Sequence, residues 1–200
     1  MTAFTLDLSP IARLSDTQFE QLCAANPDLK FERTATGDLV IMAPTGGETG
    51  MNNATLIARF VVWNEPRNLG RVFDSSTCFR LPQGGDRSPD VAWVEASRWE
   101  ALTPDQRRRF PPLCPDFVLE WLSPSDNPNT VWAKMQDYLN SGLRLGWLIN
   151  PQEQWVEIYR ADLPTPEHLT APQSLVGDPV LPGFVLNLAW LWKSSAPDNR

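Results

Sequence analysis

Apolar and polar residues change period several times along this chain, and each change marks an element. In "SDTQFEQLCAANP" the apolar positions Phe19, Leu22 and Cys23 recur at helical spacing behind Ser15, a good N-cap residue, which predicts a short first helix. "LKFERTATGDLVIMAP" reads instead as two strand-like runs with Gly37-Asp38 between them, which predicts a hairpin. Apolar residues at 56, 57, 60, 61 and 63 then predict a helix from near Gly47, with Pro66 close to its end.

Strand-like runs follow in "RVFDSS", "TCFRLP" and "SPDVAWVEAS". A polar, basic helix over roughly 97–109 leads to Pro111-Pro112 and then to "DFVLEWL", the most apolar strand candidate. The next segment is punctuated as a helix at both ends: Asn127 as N-cap, Pro128 at the first helical position, Gly142 past the last turn. "LRLGWLIN" and "QWVEIYR" predict two more strands, "PGFVLNLAWLWK" a short apolar element, and "SSAPDNR" a frayed end. This order is that of a mixed α/β (α+β) domain with a central sheet flanked by helices. No linker divides it, so residues 1–200 read as one domain.

Composition narrows the class. Apolar residues make up 42% and charged residues 20%, as in soluble globular chains. No run approaches the ~20 apolar residues of a membrane span, and the N-terminus lacks a signal-peptide pattern, so a cytoplasmic protein is expected. Cys23, Cys78 and Cys114 are too widely spaced for a CxxC pair and read as free thiols. His168 is the one histidine, which excludes a multi-histidine zinc site and argues against a Ser-His-Asp triad. Any metal must then be held by carboxylates, which points to a hard cation such as Mg²⁺. The formal charge of −7 argues against nucleic acid unless a local basic strip exists, and a solvated face explains "RRR" at 107–109 equally well.

The chemistry centres on an anomaly in "DFVLEWL". Strand alternation puts Asp116, Val118, Glu120 and Leu122 on one face and Phe117, Leu119 and Trp121 on the other. Glu120 thus stands mid-strand among apolar neighbours, where an unpaired carboxylate costs several kcal/mol. Asp90, behind Pro89 at the start of an earlier strand, could converge with it on a divalent cation. Lys134 flanks the apolar stripe of the following helix and could reach the same strand end. Each residue also has an ordinary explanation: Glu120 a salt-bridged acid, Asp90 a turn residue, Lys134 a snorkelling side chain.

In this order, "RSPDVAWV", "PDFVLEWLSPSD" and "KMQDYLNSGLRLGWLINP" resemble the Uma family of restriction endonucleases, long carried as a domain of unknown function, in the PD-(D/E)XK nuclease superfamily. The resemblance runs from "MAPTGGETG" to the "YR" strand and covers roughly residues 15–192. It implies a restriction-endonuclease-like mixed sheet with helices on both faces. It also implies that Asp90 and Glu120 hold Mg²⁺ or Mn²⁺, and that Glu48, on the first long helix, supports the metal or its water. Leu122 stands where the motif lysine belongs, and the resemblance implies that Lys134 replaces it. The implied activity is metal-dependent hydrolysis of double-stranded DNA by a homodimer. The alternative is a catalytically silent module on the same scaffold. A sugar hydrolase using the acid pair would be marked by metal independence.

Overall fold

The computed structural model describes residues 3–194; the expected frayed end, "SSAPDNR", lies outside these residues except for Ser194. In chain order the first half comprises β1 (Phe4–Leu6), α1 (Asp16–Ala25), β2 (Lys30–Arg33), β3 (Leu39–Met42), α2 (Gly47–Asn64), β4 (Gly70–Asp74), β5 (Phe79–Arg80), β6 (Asp86–Arg87) and β7 (Val91–Glu95). Next come α3 (Ala96–Glu100), α4 (Pro104–Arg108), β8 (Phe117–Trp121), α5 (Pro128–Asn140), β9 (Leu145–Asn150) and β10 (Trp155–Arg160). The last elements are β11 (Glu167–Thr170), β12 (Ser174–Val176), β13 (Val185–Asn187) and α6 (Ala189–Ser194).

The main sheet has the order β11-β10-β9-β8-β7-β4. Only β8 and β9 run parallel, because α5 carries the chain back between them; the other pairs are antiparallel. A smaller sheet, β1-β3-β2-β6-β5, packs beside it, and β12-β13 form a ribbon. The fold is therefore mixed α+β, as the hydrophobic pattern predicts.

Strand alternation decides which layer each side of β8 meets. Phe117, Leu119 and Trp121 join Phe60 and Trp63 of α2 and Phe184 and Leu191 of the C-terminal segment in one core. Val118 and Leu122 join Met135 and Tyr138 of α5 in another. Phe60 packs in tilted contact with Phe184 and Phe117, with centroids at 4.3 and 5.1 Å. Aromatic pairs of this kind add about 0.5–1.5 kcal/mol beyond burial. Trp63, Trp93, Trp121, Trp147 and Trp192 are all buried, so much of the tryptophan content fills this layer. On the α5 side, Gly146 of β9 lets the helix approach: a Cβ there would stand 2.5 Å from Met135 Cε. Gly142 ends α5 at φ +99°, a left-handed conformation suited to glycine.

Two expectations are refined. The helix over 97–109 is two short helices, because Thr103 caps α4 in a reciprocal pair with Gln106 and Pro104 begins the new turn. The segment after Arg160 also contains β11 and β12, whose pairing their proline-rich surroundings hide, and the expected apolar element near the end opens as β13, paired with β12.

Candidate active site

The β7–β8 register brings the two expected acids together. Val91 pairs with Leu119 in an antiparallel ladder, so the next position sets Asp90 opposite Glu120. Asp90 Oδ2 accepts the Trp121 backbone N–H at 2.8 Å, and Oδ1 accepts Asn53 Nδ2 of α2 at 3.0 Å. Glu120 points toward α5, as its face of β8 requires. There Lys134 and Tyr138, one helical turn apart, both meet Glu120 Oε1, at 2.8 and 2.9 Å.

Lys134 is itself buried and bound on three sides. Besides Glu120, its ammonium lies 2.9 Å from Glu32 Oε1 of β2 and donates to the Ser88 carbonyl at 3.0 Å. An ammonium has three donors, so protein acceptors occupy all of them. Glu32 also accepts the Ser88 N–H at 3.0 Å and Arg87 Nη1 at 3.1 Å; Arg87 continues to Asp137 of α5. A buried charge relay thus ties the small sheet, the main sheet and α5 together.

These groups wall a cavity of about 380 Å³ between the two sheets. Lys30, Glu32, Val40 and Met42 form one side; Asp90 and Glu120 form the other. The rim comes from Thr45, Gly46 and Thr49 at the start of α2 and from residues 123–127 before α5.

Charge environments differ sharply across this space. Burial would raise Glu32, but Lys134 and Arg87 overcome it and hold the carboxyl at about 2. For Glu120 burial prevails: against the pull of Lys134, and helped by repulsion from Asp90 and Glu32, the carboxyl is pushed up to about 7. Loss of hydration likewise raises Asp90, despite Lys134 and the Trp121 N–H. Lys134 stays firmly protonated: burial opposes its charge, but Glu120 and Glu32 outweigh it.

Asp90 and Glu120 offer hard oxygen donors whose charge is disfavoured by burial, a donor set that fits Mg²⁺ or Mn²⁺. Among the described residues no group of three or more His, Cys, Asp or Glu could hold a metal ion, so such an ion would keep water ligands, as Mg²⁺ commonly does.

Residues 16–189 match the Uma2 family, described as "Putative restriction endonuclease". The chain belongs to the Uma2 family. A solved structure described as "a putative nuclease belonging to DUF820 from Anabaena variabilis ATCC 29413" shares the fold, with a TM-score of 0.68 at 22% identity. The match covers 82% of this chain and 89% of that one. Among curated proteins there is no match.

In this Uma2 protein Asp90, Glu120 and Lys134 come together, while Glu48 does not join them. It is exposed in the first turn of α2, where an acid suits the helix dipole, and it does not line the cavity. The residue α2 sends to Asp90 is Asn53. Leu122 is buried against α5 in the apolar core, so Lys134 reaches Glu120 from the helix instead. The arginines at 107–109 are turned to the protein's own groups: Arg107 to the Leu102 carbonyl, Arg108 to Asp105, Arg109 to Glu20.

Glu32, Asn53 and Arg87 escape sequence reasoning. Glu32 sits in "KFER", which reads as the ordinary alternation of a hairpin, and only the packing of one sheet on another reveals its partners. Tyr138 was legible as part of the apolar stripe; its hydroxyl contact follows from standing four residues after Lys134.

Proposed function

We propose that this protein is a divalent-metal-dependent endonuclease that hydrolyses DNA phosphodiester bonds, acting as a cytoplasmic homodimer. One observation carries the reading: Asp90 and Glu120, opposite each other on β7 and β8, wall a cavity with carboxyls whose charge burial disfavours despite Lys134. Bound there, Mg²⁺ or Mn²⁺ would polarise a phosphoryl oxygen and lower the pKa of a coordinated water. Asp90 and Glu120 would hold the cation. Asn53 and the Trp121 N–H fix the Asp90 carboxylate, and Tyr138 and Lys134 fix Glu120. The Lys134 charge, held at the cavity wall, favours the negative charge that develops on phosphate. Apolar side chains exposed on α2, Met51, Val61 and Val62, support self-association. The three free cysteines suit a reducing compartment.

A second reading, a silent binding module, draws support from the saturation of Lys134 by protein acceptors, which an ion pair of purely structural purpose would equally produce. Cleavage of supercoiled plasmid separates the two. The nuclease reading expects nicking with Mg²⁺ or Mn²⁺ that stops in EDTA and in Asp90→Asn. Metal-independent or absent nicking across varied plasmids would refute it.

A further inference from the structure

The cavity carries a second lysine with a different relation to the protein. Lys30 lies on β2 two residues before Glu32, so both side chains leave the same face. Cross-strand register confirms the face: Lys30 pairs with Met42 and Glu32 with Val40, and all four line the cavity. Lys134 spends its three donors on Glu120, Glu32 and Ser88. The Lys30 side chain, half-buried, makes no hydrogen bond or ion pair with any described residue. Its charge nevertheless reaches across the cavity to Asp90, whose ionisation it favours.

We infer that Lys30 is the phosphate-binding residue of this site, donating to a non-bridging oxygen of the nucleic-acid backbone while Lys134 remains committed to the protein. The inference rests on the nuclease reading above. A lysine held over a cavity without a partner gives up hydration for no internal contact, whereas a phosphate would satisfy its donors directly. The overall charge of −7 makes such a local cation the more necessary, since the protein as a whole repels a polyanion. With the other lining lysine saturated, Lys30 has donors free for substrate.

The test is anisotropy of a fluorescein-labelled DNA duplex, titrated with the full chain in buffer without divalent cations, so that only the protein's own groups are read. Lys30→Met should weaken binding about tenfold at low salt and flatten the salt dependence by about one phosphate contact. Lys30→Arg should keep most of the affinity, and both variants should melt with the parent. Undiminished affinity and salt slope in Lys30→Met would overturn the inference while leaving the nuclease reading intact. A marked drop in the melting temperature of Lys30→Met would also overturn it, by giving the ammonium a structural role. If the parent failed to bind the duplex even at low salt, the inference would fall, while plasmid cleavage with Mn²⁺ would decide the nuclease reading separately.

Discussion

The two walls of the cavity hold glutamates bonded to the same ammonium, yet the protein treats them oppositely. Glu32, on the small sheet, has Lys134, Arg87 and a backbone N–H, and its carboxyl is held at about 2. Glu120, on the main sheet, has Lys134 and a neutral phenol but faces Asp90 as well as Glu32, and its carboxyl is pushed up to about 7. Burial acts on both; the second cation makes the difference. One wall is electrostatically complete and joins the sheets. The other keeps two acids facing each other with one cation between them, the arrangement from which the metal-dependent reading is proposed.

Breaking the second wall should have the largest effect on function. Asp90→Asn and Glu120→Gln should each reduce metal-dependent plasmid cleavage by about 100-fold or more. Near-parental nicking by either variant would place the chemistry elsewhere. Breaking the first wall should tell most on stability. Glu32→Gln leaves Arg87 and Lys134 short of a buried counter-charge, and calorimetric unfolding near neutral pH should register a loss of about 3 kcal/mol.

The pH dependence sharpens the contrast, because the two shifts have opposite signs. Glu32 is lowered, so its contribution is present above about 4.5 and disappears as pH falls toward about 2. Glu120 is raised, so the folded protein keeps a proton that the unfolded chain has lost; stability falls as pH rises from about 4.5 through about 7. Glu120→Gln should remove that fall, gaining up to about 3 kcal/mol on the parent between pH 5 and pH 8. Urea titrations at the two pH values check this, and a parallel decline in variant and parent would contradict it. The same substitution should thus cost activity while flattening the pH dependence of stability, against a pH-independent loss from leaving the buried Lys134 ammonium without this partner. Tyr138→Phe is milder, about 1 kcal/mol for one lost hydrogen bond. Glu48→Ala should be the mildest, with cleavage retained and a stability change of about 0.5 kcal/mol from the helix dipole.

Much of the second wall was legible in the sequence. Strand alternation placed Glu120 among apolar residues, caps set the bounds of α5, and helical spacing put Lys134 at the edge of its buried stripe. Those are local signals, spanning a few residues each. The first wall was not legible, because Glu32 meets Arg87 and Lys134 across 55 and roughly a hundred positions of chain, and nothing in "KFER" distinguishes an inward face from a solvated one. Glu48 illustrates the converse. It occupies the expected helix, but the turn that faces Asp90 is the one bearing Asn53. The pairing of β11 and β12 was hidden for the same reason as Glu32: proline-rich sequence carries little period, and the partners are chosen by tertiary packing.

Titration calorimetry of Mn²⁺ into the parent, Asp90→Asn and Glu120→Gln tests the central claim most directly. The account predicts one saturable site in the parent, lost in both variants, with Glu32→Gln measured beside them as a control on folding. Equal binding by parent and variants, or no binding by the parent, would contradict it and would leave Glu120 as the strained member of a structural ion pair.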